Sequence, residues 1–272
     1  MTGFWKRAFR KRKYSMDHGS RGGAAGGKAR GGEGGGRNGG GDNGGGGNDG
    51  QEPLQSSLQA NQERLEHILQ DCSDIVFRTF QIRGGRNALV VYTEGIVDTN
   101  ELHRSLLFPL LYRIDPQLAG EPTDEIGTDG VSLSQMKPTK SVEEAVEAIL
   151  SASVLLLVDG YDVGVVFNVK GGTRRGVEEP NTEVVIRGPR EGFTENLRVN
   201  TALLRFKIKT PDLKTVRFVK GRYTRTDIVL AYIDGLADPR VVTEARRRLE
   251  AIEIDSVLES GYIEEMIEDH PR

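Results

Sequence analysis

Two stretches of this chain, far apart, follow one script. LQANQERLEHIL, from Leu58, aligns with LRVNTALLRFKI, from Leu197, and pairs Leu58 with Leu197, Asn61 with Asn200, Leu65 with Leu204 and Leu69 with Ile208. After a single-residue offset, YTEGIVD from Tyr92 aligns with YIDGLAD from Tyr232. Each copy reads helix, strand, strand, capped helix, with apolar residues at helical spacing in the first segment and β-rich runs in the next two. A Gly followed by an Asp cap is common where a strand turns into a helix; a matched Asn inside the helix is not explained that way. The expected fold class is therefore α/β (α+β): two related subdomains, each a small mixed sheet packed with helices, spanning residues 52–140 and 141–272.

The residues ahead of the first copy read differently. About half of the 35 glycines lie between Gly19 and Gly50, among Asn, Arg and Asp. Such a segment buries too little apolar surface to order itself, so 1–51 is expected to be a disordered basic and Gly-rich tail. Its tip, MTGFWKRAFRKRK, interleaves Phe4, Trp5 and Phe9 with six bases, Lys6, Arg7, Arg10, Lys11, Arg12 and Lys13. A solvated tail is the plain reading; the other is a lodging of residues 1–13 on an anionic membrane surface, each base there contributing about 1 kcal/mol.

From Pro53 the pattern is globular. Leu54, Leu58, Leu65, Ile68 and Leu69 mark a helix, and Ile75 to Ile82 and Ala88 to Thr93 read as strands around the turn at Gly84 and Gly85. Asp98 with Glu101, and Ser141 with Glu144, have the spacing of capping boxes. Residues 113–138, rich in Asp, Gly, Pro and Thr, read as a long loop. Ser153 to Val158 and Val163 to Val169 read as strands of a tight hairpin, and strands are expected near Thr215 to Lys220 and Asp227 to Ile233. Asp238 caps a helix with Pro239 at its first position. Short helical segments are expected at Ile254 to Leu258 and Tyr262 to Ile267.

The segment Glu179 to Ile208 packs most local instruction into one span. Val184 to Ile186 read as a strand, Gly188, Pro189 and Gly192 punctuate a loop, and Thr194 onward reads as an amphipathic helix. Arg187, Arg190 and Glu191 stand in that loop beside Glu178, Glu179 and Glu183. Such a dense mixture of charges on a stiff turn suits docking better than chemistry.

EPNTEVVIRGPREGFTENLRVNTALLR resembles the central signature of GerA-type spore germinant receptor A subunits, of the form EP.TE..IRGPREGF.E.L..N...LR. The similarity continues through LAYIDGLADPRVVTEARRRLEAIEIDSVLESGYIEEMIED and, more weakly, upstream through SDIVFRTF and VVYTEGIVD, covering Leu54 to Asp269. The resemblance implies a non-enzymatic soluble domain that assembles with itself and with B and C subunits in the spore inner membrane, coupling nutrient detection to ion release. Family members continue past EEMIED into a membrane-embedded region, whereas no window here approaches the roughly 18 to 20 apolar residues a spanning helix needs; the chain as given reads as soluble.

Partner-binding residues are expected at Arg187, Arg190, Glu191 and Glu183. The alternative is a small-molecule module holding an amino acid or sugar between its lobes, with Thr182 and Asn200 as liners. No catalytic constellation is legible. His18, His67, His103 and His270 lack metal-site spacing, and GGTRRG, from Gly171, lacks the Lys and Ser/Thr of a phosphate cradle. Neither metal nor cofactor is expected. A net charge of −3 gives no bias toward nucleic acid. The lone Cys72 excludes an internal disulfide framework and reads as a small buried apolar residue. Arg246, Arg247 and Arg248 fan around a helix, so at least one must reach solvent or a partner.

Overall fold

The computed structural model describes residues 52–82, 85–112, 136–169 and 192–269. The chain divides after Gly50, and every described residue belongs to the unit Gln51–Arg272. Its elements are α1 (Leu58–Ile68), β1 (Ile75–Gln81), β2 (Asn87–Thr93), α2 (Thr99–Glu101), which runs through a π-helical segment (Leu102–Leu107) into α3 (Phe108–Tyr112), β3 (Met136–Thr139), α4 (Val142–Leu150), β4 (Val154–Val158), β5 (Gly164–Phe167), α5 (Leu197–Lys207), β6 (Leu213–Lys220), β7 (Thr226–Ile233), α6 (Pro239–Ala251) and α7 (Ser260–Ile267).

Five strands form one sheet in the order β1-β2-β4-β5-β3, and all its pairs are antiparallel. The period-two alternation of strand side chains divides its apolar residues between two cores. Ala88, Val90, Val154, Leu156, Val158, Val165 and Phe167 face Leu102, Leu106, Leu107 and Leu110 of the α2–α3 helix. Leu89, Val91, Leu155 and Leu157 face Leu58 and Leu65 of α1 and Val142, Ala145, Val146 and Ile149 of α4. Every residue of β4 is buried, as a central strand covered on both faces requires.

That arrangement corrects the boundary expected at residue 140. β4 is apolar throughout and needs a neighbour on each edge; β2 supplies one, from the other side of residue 140. One sheet therefore runs across residue 140; the residues through β5 are called the first lobe, and those of the second repeat copy, with α5, the second lobe. It also corrects the end of the expected loop, because Met136–Thr139 pairs with β5 as the sheet's outermost strand. Pro138, which has no N–H to give to a ladder, is tolerated there because the strand is an edge. Residues 113–135 lie outside the described part.

The second lobe holds the antiparallel pair β6–β7, with Leu213 opposite Ile233 and Lys220 opposite Thr226. α6 is tied to this pair by the Arg246 guanidinium, which donates to the Tyr232 hydroxyl at 2.7 Å, and by Lys220, which donates to the Glu250 and Ile252 carbonyls at 2.8 and 3.2 Å. Among the described residues, the three buried clusters lie in the first lobe or, in the case of Ile96, Ala152 and Ala202, between the lobes. No helix forms at Ile254 to Leu258. That stretch is an extended strap whose Ile254 and Asp255 carbonyls accept from the Arg222 and Tyr223 N–H groups, and whose Val257 exchanges bonds with Thr224 and Thr226. The β6–β7 turn offers those partners, and an apolar residue at Val257 sinks into it.

The three expected caps form, and a fourth lies at Asn196, so that α5 starts at Leu197 and not at the expected Thr194. Asp98 accepts from the Asn100 and Glu101 N–H groups, Asp238 from Arg240, Ser141 from Glu144 and Asn196 from Arg198 and Val199. Glu144 does not close the second half of its capping box; its carboxylate accepts from the Thr139 hydroxyl at 2.9 Å instead.

Candidate functional site

The two copies of the repeat are the same at the level of individual hydrogen bonds. In the first, the Asn61 carboxamide donates to the Gln55 carbonyl at 2.6 Å and accepts from the Gln55 N–H at 2.9 Å. In the second, Asn200 donates to the Thr194 carbonyl at 2.7 Å and accepts from the Thr194 N–H at 2.8 Å. Each Asn clamps the backbone of a residue six positions earlier and so aims the chain into its helix. Asn200, expected to line a ligand cleft, thus has its carboxamide engaged by Thr194. The second matched segment agrees equally well: the Glu94 N–H donates to the Asp74 carbonyl at 2.7 Å and the Asp234 N–H to the Asp212 carbonyl at 2.8 Å. Gly95 and Gly235 then turn the chain at φ +81° and +75°, a region open to glycine without strain.

Where the copies meet, a buried polar knot stands beside the small apolar cluster of Ile96, Ala152 and Ala202. Arg205, on α5 and 0% exposed, donates through Nε and Nη2 to both oxygens of Asp74, at 2.8 and 2.9 Å. Its remaining donors reach the Thr210 and Leu213 carbonyls at 2.8 and 3.0 Å, and the Thr215 hydroxyl donates to Asp74 at 2.7 Å. Burial alone would pull the Arg205 pKa down; the hydrogen bonds and charge of Asp74 outweigh it and hold the guanidinium above its usual range. A buried pair with its lone pairs and protons satisfied persists, whereas removing one partner costs about 3–5 kcal/mol. The backbone joins the same place, since Ser73 donates to the Thr215 carbonyl at 3.0 Å and Thr215 to the Asp71 carbonyl at 2.7 Å. Cys72 lies in this seam, buried, with its thiol directed at the Leu213 carbonyl at 3.4 Å and its pKa raised by burial.

Around this knot the lobes share further bonds. Arg246 on α6 reaches Asp71 at 2.5 Å, and Arg198 on α5 reaches Glu94 at 3.1 Å. Helix α5 presses on the first turn so closely that a Cβ on Gly95 would stand 3.0 Å from the Arg198 carbonyl oxygen and 3.3 Å from the Ala202 Cβ. The arginine run divides its work: Arg246 joins the lobes, Arg248 donates to the Ile267 carbonyl and Asp269 at 2.6 Å each, and Arg247, with its side chain 66% exposed, pairs with Glu244 and meets solvent. Arg247 and Arg248 together hold the Glu244 carboxyl down at about 2, and Arg240 does the same to Asp238.

The expected docking residues Arg187, Arg190, Glu191 and Glu183, and the expected liner Thr182, lie outside the described residues, as do His18, His270 and GGTRRG. Sequence reasoning missed Asp74 and Arg205. The available signal was a charged residue, Arg205, set among Leu203, Leu204 and Phe206 where the helix pattern is apolar; its partner stands 131 positions away, beyond any local pattern. Among the described residues no helix is long and apolar enough to cross a membrane.

Fold and junction together define a class: a two-lobed α+β domain made from a repeated helix–hairpin–helix unit, locked by a buried ion pair. Residues 63–272 match the model of the GerA family, described as Bacillus/Clostridium GerA spore germination protein. The chain belongs to that family. It is 46% identical over 80% of its length to an uncharacterized membrane protein YfkQ of Bacillus subtilis, 39% identical over 72% to spore germination protein KA, and 33% identical over 80% to spore germination protein B1 of the same organism. The matched regions span 42%, 36% and 45% of those relatives' own lengths, so the chain corresponds to less than half of each. Its fold is that of the N-terminal domain of the A subunit of the Bacillus megaterium spore germinant receptor GerK3, at a TM-score of 0.59 and 31% identity, covering 80% of this chain and 81% of that one.

Proposed function

We propose that this chain serves as a non-enzymatic domain of a spore germinant receptor, assembling with itself and with B and C subunits at the spore inner membrane and relaying nutrient detection toward ion release. The observation that carries this reading is the junction. Two lobes joined through a buried bidentate pair and a shared backbone seam have little freedom to open and close against each other, which suits a part that passes on a displacement better than one that closes over a substrate. Membership of the GerA family and the likeness to the GerK3 A-subunit domain supply the setting. Differential contacts with its partners in two states would supply the drive, since a relay shifts an equilibrium only by the difference in its contacts.

Within this reading Arg187, Arg190, Glu191 and Glu183 make the contacts to the other subunits, from the stretch of sequence just ahead of α5, the helix that carries Arg205. The test is a triple alanine variant at Arg187, Arg190 and Glu191, expressed in spores lacking the native copy. Slowed germination together with loss of the chain from the receptor complex on native gels is the expected result. Normal assembly with normal germination overturns the assignment.

A further inference from the structure

The repeat places a well-filled seat in the first lobe and its counterpart, uncovered among the described residues, in the second. In the first copy Asp74, Glu94, Gly95 and Ile96 are covered by one face of α5. Arg198 pairs with Glu94, Ala202 lies over Gly95 and Ile96, and Arg205 takes Asp74. These three residues stand at i, i+4 and i+7, one stripe along a helix. Ile96 is left 1% exposed.

The equivalent residues of the second copy are Asp212, Asp234, Gly235 and Leu236, held by the same backbone bond and the same left-handed glycine. There a Cβ on Gly235 would meet nothing within 4 Å, and Leu236 is 67% exposed. Asp212 is exposed and receives the Thr210 hydroxyl at 2.9 Å; Asp234 receives the N–H of its own neighbour Gly235 at 3.0 Å. A single exposed leucine is ordinary on a protein surface. An exposed leucine on a turn that also carries Asp234, at a position whose twin is wholly buried under a cationic helix, is a different matter.

We propose that Asp212, Asp234, Gly235 and Leu236 form the docking seat for a helix of another protein that carries a basic residue, a small residue four positions on, and a second basic residue three further. The small residue would sit over Gly235 and Leu236 while the two cations meet Asp234 and Asp212. The occupant is not α1 of a second copy. At the positions matching Arg198, Ala202 and Arg205, α1 carries Gln59, Glu63 and Glu66, which would set two carboxylates against two. Nor is it α5 of a second copy, which is engaged on its own first lobe. Seat and partner follow from the repeat, whatever the chain does in the cell.

The test uses the full chain and a helix-stapled, fluorescently labelled peptide copying Asn196–Ile208, which carries the required stripe. Saturable binding, weakened at least about tenfold by the exposed changes Asp212→Lys with Asp234→Lys and by Leu236→Asp, is the expected result. A peptide with Arg198→Glu and Arg205→Glu should fail on the native chain and bind the doubly reversed one. Circular dichroism checks that the variants fold. Binding that ignores all three protein changes, as would follow if the peptide merely displaced α5 from Gly95, overturns the proposal. So does the absence of binding, or a reversed peptide that fails to recover it.

Discussion

The two copies of the repeat share their caps, their left-handed glycines and the double bond of their helical asparagines, yet they differ in how each is completed. The first is thickened by β4, β5, β3 and α4 into a five-stranded sheet with an extensive core on each face. The second keeps, among the described residues, the bare hairpin with a helix tied to it, and its largest apolar side chains include Phe193, Tyr223, Leu236 and Leu258 at 67–76% exposure. One copy carries most of the buried core and the other most of the exposed apolar side chains. A duplicated unit can divide labour this way because the local instructions, cap and glycine and clamp, are independent of how much core is later added.

The strongest way to break this contrast is to sever the link between the lobes. Arg205→Ala leaves the Asp74 carboxylate buried without its cation and should cost about 3–5 kcal/mol in denaturant unfolding. A loss below about 1 kcal/mol would mean the lobes are joined by something other than the knot. A smaller and more discriminating comparison uses the twin turns. Ile96→Ser removes a wholly buried side chain and should destabilise by about 2–4 kcal/mol, whereas Leu236→Ser should stay within about 0.5 kcal/mol. Equal losses at the two sites would show that Leu236 is covered.

The smallest expected difference is between Asn61→Ala and Asn200→Ala. Each deletes two hydrogen bonds of the same geometry, so their costs, about 1–3 kcal/mol, should agree to within about 0.5 kcal/mol; a wide gap would break the equivalence of the copies. Acid gives a further local check on the second copy. The folded Glu244 pKa of about 2 lies below the ordinary 4.5 of a glutamate, so its bonds to Arg247 and Arg248 are fully present above about 4.5 and fade as pH falls toward 2. Carboxyl titration by NMR should place the midpoint there, and Arg247→Gln should raise it.

Much of this was legible from sequence because it is local. The Asp98 and Asp238 caps, with Pro239 behind the latter, and the β4–β5 hairpin declare themselves within a dozen residues, and the Asn61 and Asn200 pairing shows once two such short segments are aligned. What escaped was non-local. Nothing near Val154 says that VLLLV will enter between β2 and β5 and carry the first sheet past residue 140, and nothing near Met136 distinguishes a short edge strand bearing a proline from loop. The strap at Ile254 to Leu258 has helical spacing but finds its partners on the β6–β7 turn. Asp74 and Arg205 recognise each other only in three dimensions. The charged signature segment, which sequence reading favours for docking, lies outside the described residues; the junction and the exposed turn at Leu236 emerge from the fold alone.

Pro109 stands inside the continuous run from Thr99 to Tyr112, where its ring removes a donor and crowds the carbonyl a turn earlier. The rod answers by loosening its pitch ahead of the proline: the Phe108 amide reaches back five residues, to His103, instead of four. Its counterpart after β7, with a proline at the first position where no donor is wanted, has no such joint. A bend introduced into the heavier lobe would therefore concentrate at one turn of one rod, leaving the rest of the scaffold unmoved.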